Sequence, residues 1–145
     1  MKLAIALLLA VFASPAFAAD NFCDTGKPHP IDVWFEQAMD QAGGITTNIR
    51  TVQAEAYSRW DKELNRVYSE LLTKLKASDR SRLRQAQSAW VRFRDAEIKW
   101  LWSRAMYGEG GTLAPVVISD IGRGLLKERV CQLQRYKNMA YGRNP

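Results

Sequence analysis

Residues 47–77 form a stretch without proline or glycine in which apolar side chains recur at helical spacing. At about 100° per residue, these side chains fall on one broad face of a helix. The face comprises Ile49, Ala56, Tyr57, Trp60, Leu64, Val67, Tyr68, Leu71 and Leu75. Such a helix must bury that face against other elements, and the chain shows no strand-like alternation elsewhere. The pattern therefore predicts an all-α fold.

Three further helices are predicted around this one. They span residues 31–42, about 80–107, and a last segment that begins between 112 and 120 and ends near 140. Gly43-Gly44 and Gly108 end the first two, as glycines commonly do at helix C-termini. Short connections favour antiparallel neighbours. We therefore predict an antiparallel up-down bundle of four helices, with two long helices at its centre and an extended arm over residues 19–30.

The first residues are typical of a secretory signal peptide. Lys2 supplies the positive start, residues 3–12 are apolar, and Ala16-Phe17-Ala18 fits the small-x-small cleavage rule. The apolar run is too short to span a membrane, which takes about 20 residues. We predict cleavage after Ala18, which leaves one helical domain over residues 19–145 in the periplasm or outside the cell.

Two cysteines, Cys23 and Cys131, follow the predicted cleavage site. Disulfides form and persist in such compartments, and two cysteines allow one intrachain connectivity. The bridge would join the N- and C-terminal parts of the domain. The alternative is a pair of unpaired buried thiols.

The predicted helix order separates the charges along the bundle. The chain has 21 lysines and arginines, one of them Lys2, against 15 acidic residues, so the mature domain carries a formal charge of +5. A basic pole is predicted from Lys74, Lys76, Arg80, Arg82, Arg84, Arg135, Lys137 and Arg143. The first helix carries Asp32, Glu36 and Asp40 toward the other end. Either the bundle is charge-polarised, or these are ordinary solvated helix ends.

Charged residues also fall on the predicted core side of the helix over 80–107. Arg94, Glu97 and Arg104 project within about 40° of Trp90. A buried row of this kind must be paired, since one lone charge there would cost several kcal/mol. Asp61 on the preceding helix is a candidate to complete it. The row is interpreted either as a network that registers the helices or as a polar cleft that accepts a ligand or a partner side chain.

Aromatic residues at helical spacing favour a core over a sugar-stacking platform, and this applies to Tyr57, Trp60, Tyr68 and Trp90. Trp102 lies about 120° from Trp90 and off this stripe. With Ile98 and Met106 it either forms an exposed apolar patch or packs under the first helix.

Signals for catalysis are weak. The single histidine, His29, lies between two prolines, with no cysteine or carboxylate at zinc-ligand spacing. The chain has no P-loop, no Gly-x-Ser-x-Gly and no dinucleotide fingerprint. Asp61 and Glu97 could in principle form a carboxylate pair for glycoside cleavage, but nearby arginines would hold both ionised. We expect no enzymatic activity, no cofactor, no metal, no nucleic-acid partner and no transmembrane segment.

Two motifs, Trp60-Asp61-x-x-Leu64-Asn65-x-x-Tyr68 and Ala86-Gln87-x-x-Trp90-x-x-x-Arg94-Asp95, resemble the LprI-type, lysozyme-inhibitor-like family of small secreted helical domains. The similarity extends from about Ile31 to Met139 and includes Leu126-x-x-Arg129-x-x-x-Leu133. The resemblance implies a polar and aromatic network of Trp60, Asp61, Asn65, Tyr68, Gln87, Trp90, Arg94, Asp95, Glu97 and Arg129. Family members commonly carry cysteines at three places where this chain has none, so Cys23 and Cys131 would be an alternative bridge.

The resemblance also implies a non-enzymatic binding protein, acting on a lysozyme-like hydrolase or another envelope protein. The candidate contact surface comprises Asp32, Glu36, Asp40, Gly108, Glu109, Gly110, Gly111 and Thr112. A domain of charge +5 would be repelled at long range by a cationic lysozyme, unless this acidic surface faces the enzyme. The alternative is an envelope-surface module whose basic pole binds anionic lipid or lipopolysaccharide.

Overall fold

The structure, a computed structural model, describes residues 22–141, and every regular element in this range is a helix. The helices are α1 (Phe22–Thr25), α2 (Pro30–Gln41), α3 (Thr46–Lys74), α4 (Ala77–Leu101) and α5 (Ala114–Tyr141). The predicted all-α fold is confirmed. The predicted signal peptide, the first residues of the arm and Arg143 lie outside the described residues.

The start of α2 is set by two residues that the arm contributes. Pro30 occupies the first turn, where its missing N–H removes no intrahelical bond. The His29 ring caps the helix, because its Nδ1 accepts a hydrogen bond of 3.1 Å from the backbone N–H of Ile31. Gly43 and Gly44 follow the helix with φ of +61° and +74°, a conformation that favours glycine. The predicted start and end of α2 are therefore close to the observed ones.

α4 ends at Leu101, well before the predicted end near residue 107. The chain turns back here, because the backbone N–H of Tyr107 donates to the Leu101 carbonyl at 3.2 Å and that of Gly108 donates to the Ser103 carbonyl at 2.9 Å. A Cβ at Gly108 would stand 2.9 Å from the Ser103 backbone, so this tight turn depends on glycine. The turn places residues 102–113 in a connection between α4 and α5.

Consecutive helices from α2 to α5 run antiparallel, as predicted, and α3 therefore runs parallel to α5. Near the start of both, Gln53 Nε2 donates to the Val116 carbonyl at 2.9 Å. Near their ends, Lys137 Nζ donates to Glu70 Oε2 at 2.9 Å. The closest helix pair in the bundle is α3 with α5, whereas α4 lies to one side with only Leu101 fully buried. Of the two long helices predicted at the centre, α3 is central and α4 is peripheral.

The core lies along the α3–α5 seam. It comprises Trp60, Leu64, Val67 and Leu71 of α3 with Leu126, Val130 and Leu133 of α5. Each fully buried side chain of this size stabilises the fold by about 1.5–3 kcal/mol. Gly122 of α5 lets neighbours approach closely, because a Cβ there would stand 3.2 Å from Ile98 Cδ1 and 3.3 Å from Tyr57 Cε2.

The predicted bridge between Cys23 and Cys131 is confirmed, with the two Cα atoms 5.4 Å apart. It attaches the N-terminal segment to the middle of α5. The segment is not wholly extended, because Phe22–Thr25 forms one helical turn. Phe22 packs 4.6 Å from the His29 ring centre and 5.7 Å from that of Trp60, which anchors this turn on the core.

Candidate functional site

Residues of the two sequence motifs meet around the half-buried ring of Trp90 on α4. The Arg94 guanidinium lies 5.5 Å from the ring centre, and that of Arg129 on α5 lies 5.6 Å from it. Both separations fall within the range of a cation–π interaction. We call Asp61, Gln87, Trp90, Arg94, Asp95 and Arg129 the Trp90 network.

The Arg94 side of the network joins α3 to α4. Arg94 donates to Asp95 Oδ1 from Nε at 2.9 Å and from Nη2 at 2.7 Å. Its Nη1 lies 4.0 Å from Asp61 Oδ1, and Asn65 Nδ2 donates to Asp61 Oδ2 at 3.2 Å. Since these carboxylates remain partly exposed, the pairs carry the modest energy of surface ion pairs.

The predicted row of Arg94, Glu97 and Arg104 does not form. Arg104 lies beyond the end of α4, and its exposed side chain pairs with Glu109 at 2.6 Å. Glu97 is half-buried and makes no ion pair among residues 22–141. Arg104 cannot project from the same helix face as Arg94 and Glu97, because α4 ends at Leu101.

The Arg129 side of the network is different, because its partners are neutral. Arg129 is 6% exposed. Its Nε donates to Gln87 Oε1 at 2.9 Å, and its Nη1 donates to Gln132 Oε1. Its Nη2 is buried with no hydrogen-bond partner in the described part of the chain. Burial lowers the pKa of Arg129 from its usual value, although the group stays charged at neutral pH.

A groove between α4 and α5 opens beside Arg129. Trp90, Phe93 and Leu125 form apolar lining, and Gln132 and Arg135 line the polar part. Its volume is roughly 420 Å³, within the roughly 300–1,000 Å³ of common ligand pockets.

Two other motif residues lie in or against the core. Trp60 is fully buried, with its ring 4.7 Å from that of His29, and its Nε1 has no hydrogen-bond partner within residues 22–141. Tyr68 packs against the same cluster. The Trp60 ring is therefore not accessible to a sugar from solvent, and Tyr68 is partly buried against the core.

The acidic residues of the candidate contact surface separate into two groups. Asp32 is buried and accepts from Lys127 Nζ at 2.7 Å, with Arg123 Nη1 at 3.8 Å. Glu36 and Asp40 are exposed. Asp40, near the end of α2, lies at the same pole as the connection that carries Gly108, Glu109, Gly110, Gly111 and Thr112, all of them exposed. The structure thus places Asp40 and this connection at one pole, whereas Glu36 lies farther back on α2, where it lines a pocket together with Asp32.

Large apolar side chains lie exposed at this same pole. Trp100 is 51%, Trp102 47%, Met106 45% and Leu113 65% exposed. We call these four residues the apolar pole. Trp102 and Met106 form exposed surface rather than packing under α2, which decides between the two alternatives for this patch.

The basic residues lie at the opposite pole, where several are already bonded within the protein. Arg80 Nε donates to the Leu75 carbonyl at 2.7 Å, and Arg82 pairs with Asp79 at 3.4 Å. Arg135 pairs with Asp24 at 3.3 Å, and Lys137 pairs with Glu70 at 2.9 Å. Lys76 and Arg84 are exposed.

His29 has a structural position that the sequence did not reveal. Besides capping α2, its Nε2 lies 4.0 Å from Glu63 Oε1. Burial lowers the pKa of His29 below its ordinary value of 6.5, in spite of the opposing charges of Glu63 and Asp32. Its position immediately before Pro30, at the start of a predicted helix, is the sequence feature that indicates this capping role.

Residues 22–141 contain no group of three or more histidine, cysteine or acidic residues arranged to hold a metal ion. None of the helices formed by these residues combines the length and apolar composition that a membrane span requires.

Comparison with known protein families identifies a family model that this chain matches. A family model described as "Lysozyme inhibitor LprI" matches residues 38–133, about two thirds of the chain, including the whole Trp90 network. Searches of curated proteins and of solved structures found no match.

Proposed function

We propose a function from the premise that this chain belongs to the lysozyme inhibitor LprI family. The protein acts in the periplasm or outside the cell by binding a lysozyme-like hydrolase, without catalysis of its own. The disulfide between Cys23 and Cys131 supports this location, because such bonds persist in oxidising compartments.

The observation that carries this proposal is the apolar pole. Soluble monomers rarely expose large contiguous apolar patches, and such patches commonly mark protein contacts. Tryptophan and methionine are also enriched in protein interfaces. Here Trp100, Trp102, Met106 and Leu113 are exposed within fourteen residues of chain. We infer that they enter the interface as its apolar anchors.

The exposed acids at the same pole suit a cationic partner. Asp40 and Glu109 are accessible at this pole, although Glu109 is already paired with Arg104. The basic pole lies at the far end of α3, whose 29 residues span roughly 43 Å. Salt screens charges beyond about 8 Å at physiological ionic strength. Repulsion by the net charge of +5 is therefore weak when the apolar pole faces the hydrolase.

A titration tests the proposal. The purified mature protein is added to a c-type lysozyme, and muramidase activity is followed at low and at physiological salt. We expect stoichiometric loss of activity at both salts, because an interface with apolar anchors depends little on ionic strength. Unchanged activity at equimolar protein would overturn the proposal for this class of hydrolase. Binding to anionic vesicles that disappears with salt would then favour the basic-pole alternative.

A further inference from the structure

Arg129 is the arginine that the described structure buries most fully, yet it makes no ion pair there. The half-buried Arg123 pairs with Asp120 at 2.6 Å, and Arg94 pairs with Asp95 at 2.7 Å. A buried charge is normally matched by an opposite charge, because losing its hydration is costly. The Arg129 guanidinium is thus a buried positive charge that has no anionic partner among residues 22–141.

Gln132 occupies the place at which an anion would be held. Its amide oxygen accepts from Arg129 Nη1, and Gln132 as a residue is exposed on α5. A neutral amide oxygen is a weaker partner for a guanidinium than a carboxylate oxygen. An anionic oxygen that displaces the Gln132 side chain would therefore gain a stronger hydrogen bond, and Gln132 is free to swing into solvent.

The surroundings of Arg129 select the kind of anion. One wall of the groove is apolar, with Phe93 53% exposed beside Trp90 and Leu125. Glu128 also lines it, and Arg135 is already paired with Asp24. One unneutralised cation next to an acidic residue and an apolar wall favours a singly charged ligand with an apolar part over a phosphate dianion.

We propose that the α4–α5 groove is a binding site for an organic carboxylate with an adjoining apolar group. The carboxylate replaces the Gln132 amide on Arg129, and the apolar group lies on Phe93 and Leu125. The site lies on the flank of the bundle, away from the apolar pole. Carboxylate binding can therefore be tested independently of hydrolase inhibition.

Nuclear magnetic resonance of the ¹⁵N-labelled full mature protein, titrated with 3-phenylpropanoate, tests this site. The expected result is a saturable shift of the Trp90 indole, the Arg129 Nε–H and the Gln132 amide signals. The neutral 3-phenylpropanamide should bind roughly tenfold more weakly, because it lacks the charge-assisted bond. N-acetylphenylalanine, which resembles a peptide end, distinguishes a chain terminus from a free acid as the preferred source. Equal binding of acid and amide would overturn the proposal, as would shifts confined to other residues.

Variants separate ligand binding from folding. Gln132→Ala removes the competing amide and should tighten 3-phenylpropanoate binding severalfold. Phe93→Ala should weaken that acid severalfold while leaving acetate binding unchanged. Arg129→Gln should abolish binding, with thermal melting as the check on its fold. Arg92→Gln is the matched control, because it removes one exposed positive charge from α4, outside the groove lining. No binding to either wild type or Gln132→Ala would contradict the proposal even if Arg129→Gln fails to fold.

Discussion

Lys137 and Glu70 form an ion pair of 2.9 Å that joins the last turns of two parallel helices, α5 and α3. The Lys137 side chain is largely buried in this contact. Lys137, one of the residues assigned to the basic pole, therefore stabilises the packing of α5 against α3.

Because of this pair, part of the free energy of unfolding varies with pH in the acidic range. Burial opposes ionisation of Glu70, but the bond from Lys137 and the charge of Arg66 outweigh it and lower the pKa of Glu70 below 4.5. A lowered carboxyl pKa contributes stability above the unfolded-state value, and this contribution is lost as pH falls through the folded-state value. Lys137→Met should lower the free energy of unfolding by up to about 1 kcal/mol at pH 7. In urea denaturation the difference should shrink as the pH is lowered below the ordinary carboxyl pKa and through the folded-state value. Exposed Lys76→Met is the control, and an equal effect there would contradict the role of the pair.

His29 predicts a second pH dependence, at higher pH. Because burial lowers its pKa in the folded state, the unfolded chain takes up a proton at about 6.5 while the folded chain resists it. Stability should therefore fall as pH decreases through about 6.5 toward the folded-state value. His29→Asn keeps a helix-capping side chain and should remove this slope. Melting temperatures of both proteins between pH 7.5 and 5.5 test it, and parallel curves would show that His29 titrates normally.

The disulfide should provide a large share of the stability. It closes a loop between residues 108 positions apart, for which the chain-entropy estimate is about 4–5 kcal/mol. Reduction should also release Phe22 from Trp60 and change the tryptophan fluorescence before global unfolding. Urea denaturation of the oxidised protein and of a Cys23→Ser, Cys131→Ser double variant measures the difference. A loss below about 1 kcal/mol would mean that the N-terminal segment stays docked without the bond.

Arg94 should contribute less to the free energy of unfolding than a member of a fully buried ion-pair network would. Its carboxylate partners, Asp61 and Asp95, remain about half exposed, so solvent screens both ion pairs. We expect Arg94→Ala to lower the free energy of unfolding by about 1 kcal/mol, including its lost packing on Trp90. A loss of about 3–5 kcal/mol in urea denaturation is the result expected for a fully buried pair, and it would contradict this account.

The helices and their order were predictable because apolar spacing and glycine positions are local properties of the sequence. The pairing of α3 with α5 was not, since it depends on how the apolar faces of distant segments fit together. Gly122 shows the difficulty: in the sequence it weakens the helix prediction, whereas in the fold it gives room to Ile98 and Tyr57. Arg104 does not join the predicted row with Arg94 and Glu97, because α4 ends at Leu101.

The candidate site was predictable in part, from the family resemblance of its motifs rather than from local apolar spacing. The resemblance put Gln87, Trp90 and Arg129 in one network, and the structure brings them together. Burial of Asp32 by Lys127 was not visible, because the pairing joins residues far apart in sequence. A charge pattern alone does not tell which acids remain accessible.

The measurement that tests the central claim most directly is inhibition of a c-type lysozyme by two matched variants. Trp102→Ala with Met106→Ala removes anchors of the apolar pole, and Arg84→Ala removes an exposed charge from the basic pole. Both sets of side chains are exposed, so neither variant should unfold the protein. The account predicts that the first variant weakens inhibition roughly tenfold or more, as loss of interface anchors does, and that Arg84→Ala inhibits like the wild type. Inhibition that survives the first variant and falls in the second would contradict it.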